Sequence, residues 1–152
     1  MKKLLVVLLF VIFAVNAYGD EMDNNNHSIM FDIKWNTLVF LNFGLSYEHR
    51  LLENFSLYYH ADVITLLVFN AMGFNTELHS RWYPLNNELK NLYFCLGLGY
   101  GRVVGNNQLN IVSRIGWKSL REGLITEPFI GYTYSPRGFS QCYIGISSGW
   151  SF

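Results

Sequence analysis

Ionisable residues in this 152-residue chain stand singly inside apolar and aromatic runs. Glu48, Glu77, Arg81, Arg114, Lys118 and Glu127 are the clearest cases. Brought together away from water, such acids and bases can form a static, hydrogen-bonded plug or line a gated polar conduit. Unpaired buried charge is very costly, so either use needs a balanced set. The arginines favour the plug, because a guanidinium satisfies two carboxylate oxygens at once.

A second group is His60, Asp62, Glu77 and His79. Two imidazoles and two carboxylates are competent ligands for Zn²⁺ or another divalent ion. Their spacing matches no strict metal motif, and Arg81 nearby can neutralise the acids instead. They are read as hydrogen-bonded interior residues, and no metal or cofactor is assigned. Hydrolytic chemistry fares no better. His79 and Ser80 are consecutive, so in a strand they point to opposite faces. His27 and Ser28 stand where the patterned region begins. No Ser–His–acid set shares a face at a workable spacing, and the chain is read as non-enzymatic.

Composition limits the elements that can position these residues. The chain is 51% hydrophobic, 17% aromatic and 14% charged, which is too apolar for a disordered polypeptide. Eleven bases balance eleven acids with no basic run, which argues against a nucleic-acid partner. The length allows one domain with a targeting segment. That segment is legible at the start. Lys2 and Lys3 precede an unbroken apolar run from Leu4 to Val15, and small residues follow, including Ala17 and Gly19. Residues 1–19 are expected to be a cleaved secretory signal. The run is too short to span a membrane as a helix, which takes roughly 20 apolar residues. Residues 20–27 form a polar, Asn-rich arm, expected to be a flexible lead-in to a domain over 28–152.

From Ile29 onward the hydrophobic period is two. Ile29, Phe31, Ile33 and Trp35 share one face, and Met30, Asp32, Lys34 and Asn36 the other. The same alternation recurs over residues 41–50, 55–62, 74–82, 93–100, 109–118, 127–134 and 143–152. That predicts eight strands. Gly, Pro, Asn or charge marks turns at 52–54, 84–87, 105–107, 121–123 and 135–138. The apolar connection over 63–72 is expected to reverse near Phe69-Asn70.

The polar face is Gly-rich and carries its charges mid-strand. Asp32, Glu48, Asp62, Glu77 and Glu127 meet Lys34, Arg50, Arg81, Arg114 and Lys118 on it. The apolar face carries aromatics near strand ends: Trp35, Tyr47, Trp82, Tyr100, Trp117, Tyr134, Trp150 and Phe152. This is the polarity of a membrane barrel, apolar and aromatic-belted outside and polar within. Eight strands of about 9–11 residues suit the smallest such barrels, whose interiors are filled by side chains. The fold expected is an all-β, eight-stranded antiparallel up-and-down transmembrane barrel. By parity Leu38, Phe40, Ile64, Leu66 and Val68 point inward at the external end, a candidate apolar mouth for small hydrophobic molecules. Cys95 faces inward and Cys142 outward on strands that are not neighbours, so they are not expected to pair.

A cleaved signal, eight amphipathic strands and a last strand ending Gly149-Trp150-Ser151-Phe152 resemble small bacterial outer-membrane barrels of the OmpX type and the OmpA membrane domain. The stretch Glu77-Leu78-His79-Ser80-Arg81-Trp82-Tyr83-Pro84 and the Gly-rich strand after it are similar to those of an uncharacterised eight-stranded barrel family. The resemblance implies an outer-membrane location, outer-membrane lipids around the barrel, and periplasmic chaperones and barrel-assembly machinery as partners. In that family pattern Trp150 and Phe152 belong to the assembly signal. The function implied is a closed, ion-paired barrel serving envelope integrity or surface interaction, with the surface partner unidentified. OmpW-like passage of small hydrophobic molecules is the alternative, and a lipid-modifying outer-membrane enzyme the third.

Overall fold

The computed structural model describes residues 26–36, 40–66, 72–85, 91–103, 106–121, 123–136 and 140–152. Residues 1–19, expected to be a signal, residues 20–25 of the expected arm, Leu38 and Val68 lie outside the described residues. Eight strands follow one another: β1 His27–Asn36, β2 Phe40–Leu52, β3 Phe55–Leu66, β4 Met72–Trp82, β5 Asn91–Val103, β6 Asn106–Arg121, β7 Leu124–Tyr134 and β8 Gln141–Ser151. Each pairs antiparallel with its sequence neighbours, and β1 pairs with β8, which closes the barrel. This is the fold that the alternation predicts.

Boundaries differ in places. β1 starts at His27, because its N–H and C=O both bond to the backbone of Phe152 (3.0 and 2.9 Å) and extend the closing seam. Asn106 and Asn107, read as turn residues, pair with Val103 and Arg102 and open β6. The β6–β7 ladder pairs Gly116 with Phe129 and resumes at Ser119 with Thr126. Pro128 sits in the gap, where it has no N–H to give.

The chain is polar inside and apolar outside. Trp35, Leu96, Leu98 and Trp150 are exposed on the outer wall, whereas Asp32, Glu48, His60, Arg81 and Glu127 are buried. Trp35, Tyr100 and Tyr134 stand toward the hairpin end away from the termini, and Tyr47, Trp82, Trp117 and Trp150 toward the other. Two aromatic belts bracket an apolar band that also carries rings such as Phe31 and Tyr59, as at the two interfaces of a bilayer. Cys95 is buried and Cys142 exposed, on β5 and β8.

The glycines of the inner face make room for rings. A Cβ on Gly131 would lie 2.2 Å from Cζ of Tyr143, and one on Gly116 would lie 2.4 Å from the Tyr93 hydroxyl. Tyr143 is itself held edge-on against Phe129, with centroids 6.1 Å apart. Ala normally stabilises a position held by Gly when the backbone permits it. Gly131→Ala is expected to do the reverse and cost about 1–3 kcal/mol, because the ring has nowhere to go. A lowered urea midpoint for the refolded barrel checks this. An unchanged midpoint would mean that Tyr143 swings clear.

Candidate functional site

The strands' inward positions build a two-tier network along the barrel axis. In the tier nearer the termini, Arg81 makes a bidentate pair with Glu127 (2.7 and 2.9 Å) and a longer contact to Glu48 (3.4 Å). Lys118 donates to Glu48 at 2.5 Å, and Ser56 donates to the same carboxylate. The hydroxyls of Tyr83 and Tyr93 donate to Glu48 and Glu127 at 2.6 and 2.7 Å. Every carboxylate oxygen in this tier has a donor, the condition under which buried ion pairs can hold.

The second tier centres on His60. Its Nδ1 lies 2.6 Å from Asp32 and its Nε2 2.7 Å from Asp62. Lys34 donates to Asp62 (2.9 Å) and Glu77 (3.1 Å), and His79 lies 2.8 Å from Glu77 through Nε2. Arg114 reaches Glu77 at 3.4 Å. Tyr58 joins the tiers. Its hydroxyl donates to Asp32 and accepts from Arg114, both at 3.1 Å, while its ring lies 3.5 Å from the Arg81 guanidinium.

All six residues of the expected ion network are thus interior, but they divide. Glu48, Arg81, Lys118 and Glu127 form one tier; Glu77 and Arg114 join Lys34 in the other. Arg50, expected on the same face, lies at the end of β2 and donates to the backbone oxygens of Leu52 and Glu53 (3.4 and 3.3 Å). Its side chain thus bonds the β2–β3 turn. A reversal at Phe69-Asn70 would set His60 opposite His79 and Asp62 opposite Glu77, and the register of β3 with β4 corrects this. His60 stands opposite Glu77, Asp62 opposite Asn75 and Tyr58 opposite His79. The register is offset by two residues from that one, and Phe69 and Asn70 themselves lie outside the described residues. Among the described residues no group of three or more His, Cys, Asp or Glu side chains is arranged to hold a metal ion. The four members of the metal candidate are instead engaged with one another, Asp32, Asn75, Lys34 and Arg114.

Of the candidate mouth, Ile64 is buried. Leu38 and Val68 are not described, and neither are the side chains of Phe40 and Leu66. The cavity beside Ile64 is lined mainly by amides: Asn36, Asn42, Asn75, Gln108, Asn110 and Gln141. Tyr58, Tyr83 and Tyr93 were not singled out from sequence as members of the network. Parity carried the signal: Tyr58 and Tyr93 share the charged face, and Tyr83 continues the Glu77, His79, Arg81 register beyond the end of β4.

A closed barrel with this inverted polarity has the architecture of a transmembrane β-barrel, and solved structures agree on the fold. The chain is similar to the N-terminal β-barrel domain of Pseudomonas aeruginosa OprF, with 16% identity and a TM-score of 0.67 over 85% of this chain and 98% of that one. It is also similar to the Yersinia pestis outer membrane protein Ail, at 9% identity and a TM-score of 0.59, covering 83% and 98% of the two chains. The Neisserial surface protein A aligns at 9% identity and 0.56, over 83% and 94%. At these identities the likeness shows the fold: that of the small outer-membrane barrels. No family model and no curated protein matches the chain.

Proposed function

We propose that this chain is a non-enzymatic integral outer-membrane protein whose bore is sealed by its ion-paired tiers, serving envelope integrity or surface interaction. The carrying observation is the Arg81–Glu127–Glu48–Lys118 tier, in which all four side chains are buried and mutually bonded. A path for ions would have to break these pairs, and a broken buried pair costs about 3–5 kcal/mol. The inverted polarity and the outer-membrane proteins of like fold support the location. Assembly is proposed to run through the barrel-insertion machinery reading β8, whose Trp150 pairs with Ile29 across the closing seam and with Leu124 on β7. The test is conductance. The refolded mature chain, shown to be inserted, is expected to be silent in a planar bilayer. Discrete, reproducible openings would overturn the sealed reading and bring solute passage forward.

A further inference from the structure

We propose that the hairpin end of the barrel, away from the termini, holds a hard, oxygen-seeking cation of the Ca²⁺ type in a ring of side-chain amides. Asn36 on β1, Asn42 on β2, Asn75 on β4 and Asn110 on β6 all border one cavity of about 50 Å³. Their exposures are 3, 4, 8 and 8%. In each, Oδ1 has no hydrogen-bond partner. Buried carbonyl oxygens are ordinarily partnered, so four orphans on one small cavity call for a common occupant. The orientation of Asn75 is set from below. Its Nδ2 donates to Glu77 at 2.6 Å, which leaves the oxygen as the open group.

The chemistry of the ring selects among occupants. Four neutral oxygens from four strands are the donor set of a hard cation, and Ca²⁺ accepts backbone-like and amide carbonyls in flexible numbers. Mg²⁺ demands near-ideal octahedral geometry and parts with its water reluctantly, and transition metals prefer nitrogen or sulfur. The cavity has room for an ion and a few waters, not for a sugar or a lipid tail. Lys34 and Glu77 also border the cavity, but they are paired with each other at 3.1 Å, and the ammonium bonds Asp62 as well, so neither faces the ring as an uncompensated charge. With neutral ligands the affinity belongs to the weak extracellular class, about 10⁻⁴–10⁻³ M.

The experiment uses the mature chain, refolded in non-ionic detergent and stripped with chelator. Thermal unfolding is followed with CaCl₂, MgCl₂ or KCl at matched ionic strength. CaCl₂ is expected to raise Tm, with MgCl₂ and KCl without comparable effect. The double variant Asn42→Leu/Asn110→Leu is expected to lose that shift. Tb³⁺ luminescence excited through Tyr143, which also borders the cavity, gives a second readout on the unaltered chain. Ca²⁺ is expected to displace the bound Tb³⁺, and Mg²⁺ not. Equal shifts with all three salts, a shift kept by the variant, or no Tb³⁺ signal displaceable by Ca²⁺ would each overturn the proposal and leave the cavity to water. If the variant does not fold, the Tb³⁺ competition decides alone.

Discussion

Arg81→Met is expected to destabilise the folded barrel by about 3–5 kcal/mol, because it leaves the buried Glu127 carboxylate without its cation. Arg81 is fully buried, forked onto Glu127 and in reach of Glu48. Its guanidinium also lies between rings, 3.5 Å from the centroid of Tyr58 and 4.5 Å from that of Tyr93. Met restores much of the volume but neither the charge nor the fork. Glu127 would keep the Tyr93 hydroxyl, and Glu48 would keep Lys118, Ser56 and Tyr83. Arg81→Lys is expected to recover only part of the loss, since an ammonium gives up both the bidentate geometry and the stacking. Urea unfolding of the protein in lipid vesicles, followed by tryptophan fluorescence, measures the effect. Arg81→Met/Glu127→Gln should be less destabilised than the sum of its single variants, the mark of direct coupling. A midpoint for Arg81→Met within experimental error of the parent would mean that water solvates this tier.

His60→Gln is the second large effect, and it follows from charge balance. Among the described residues, five buried carboxylates, Asp32, Glu48, Asp62, Glu77 and Glu127, face four buried permanent cations, Lys34, Arg81, Arg114 and Lys118. Both nitrogens of His60 lie against carboxylate oxygens. A neutral imidazole has one N–H, so only the imidazolium donates to both. His79 differs: its Nε2 meets Glu77 while its Nδ1 has no partner, which suits the neutral ring. His60 as a cation brings the interior to neutrality. Gln at this position keeps a donor but drops the charge, and about 3–5 kcal/mol is the expected loss. Adding Asp62→Asn removes the matching negative charge and should restore a measurable share of that loss. If the double variant is as unstable as the sum of the two singles, the charge assignment for His60 is wrong.

Much of the architecture was legible because a strand has a period of two. Alternation at Ile29–Met30–Phe31–Asp32 places one residue in lipid and the next in the bore, and the same parity assigned Glu48, Arg81, Arg114 and Glu127 to one face without any knowledge of contacts. The glycines were visible as a bias of the polar face, but not their purpose. That Gly131 lies under Tyr143 and Gly116 under Tyr93 depends on which strands are adjacent and at what offset. Arg50 shows the limit of parity from another side: it has the right face but sits too far along β2 to enter the bore.

By itself, then, the sequence determined the strand count, the inverted polarity, the aromatic belts and the set of charges that must neutralise one another. These are properties of each strand's own residues, and local periodicity carries them. Only the tertiary structure decided the partners. Register set His60 between two aspartates and opposite Glu77, not His79. Closure brought Arg81 on β4 to Glu127 on β7, and Lys118 on β6 to Glu48 on β2. Those contacts cross the bore between strands that do not pair, so they depend on barrel diameter and stagger, which no single strand encodes.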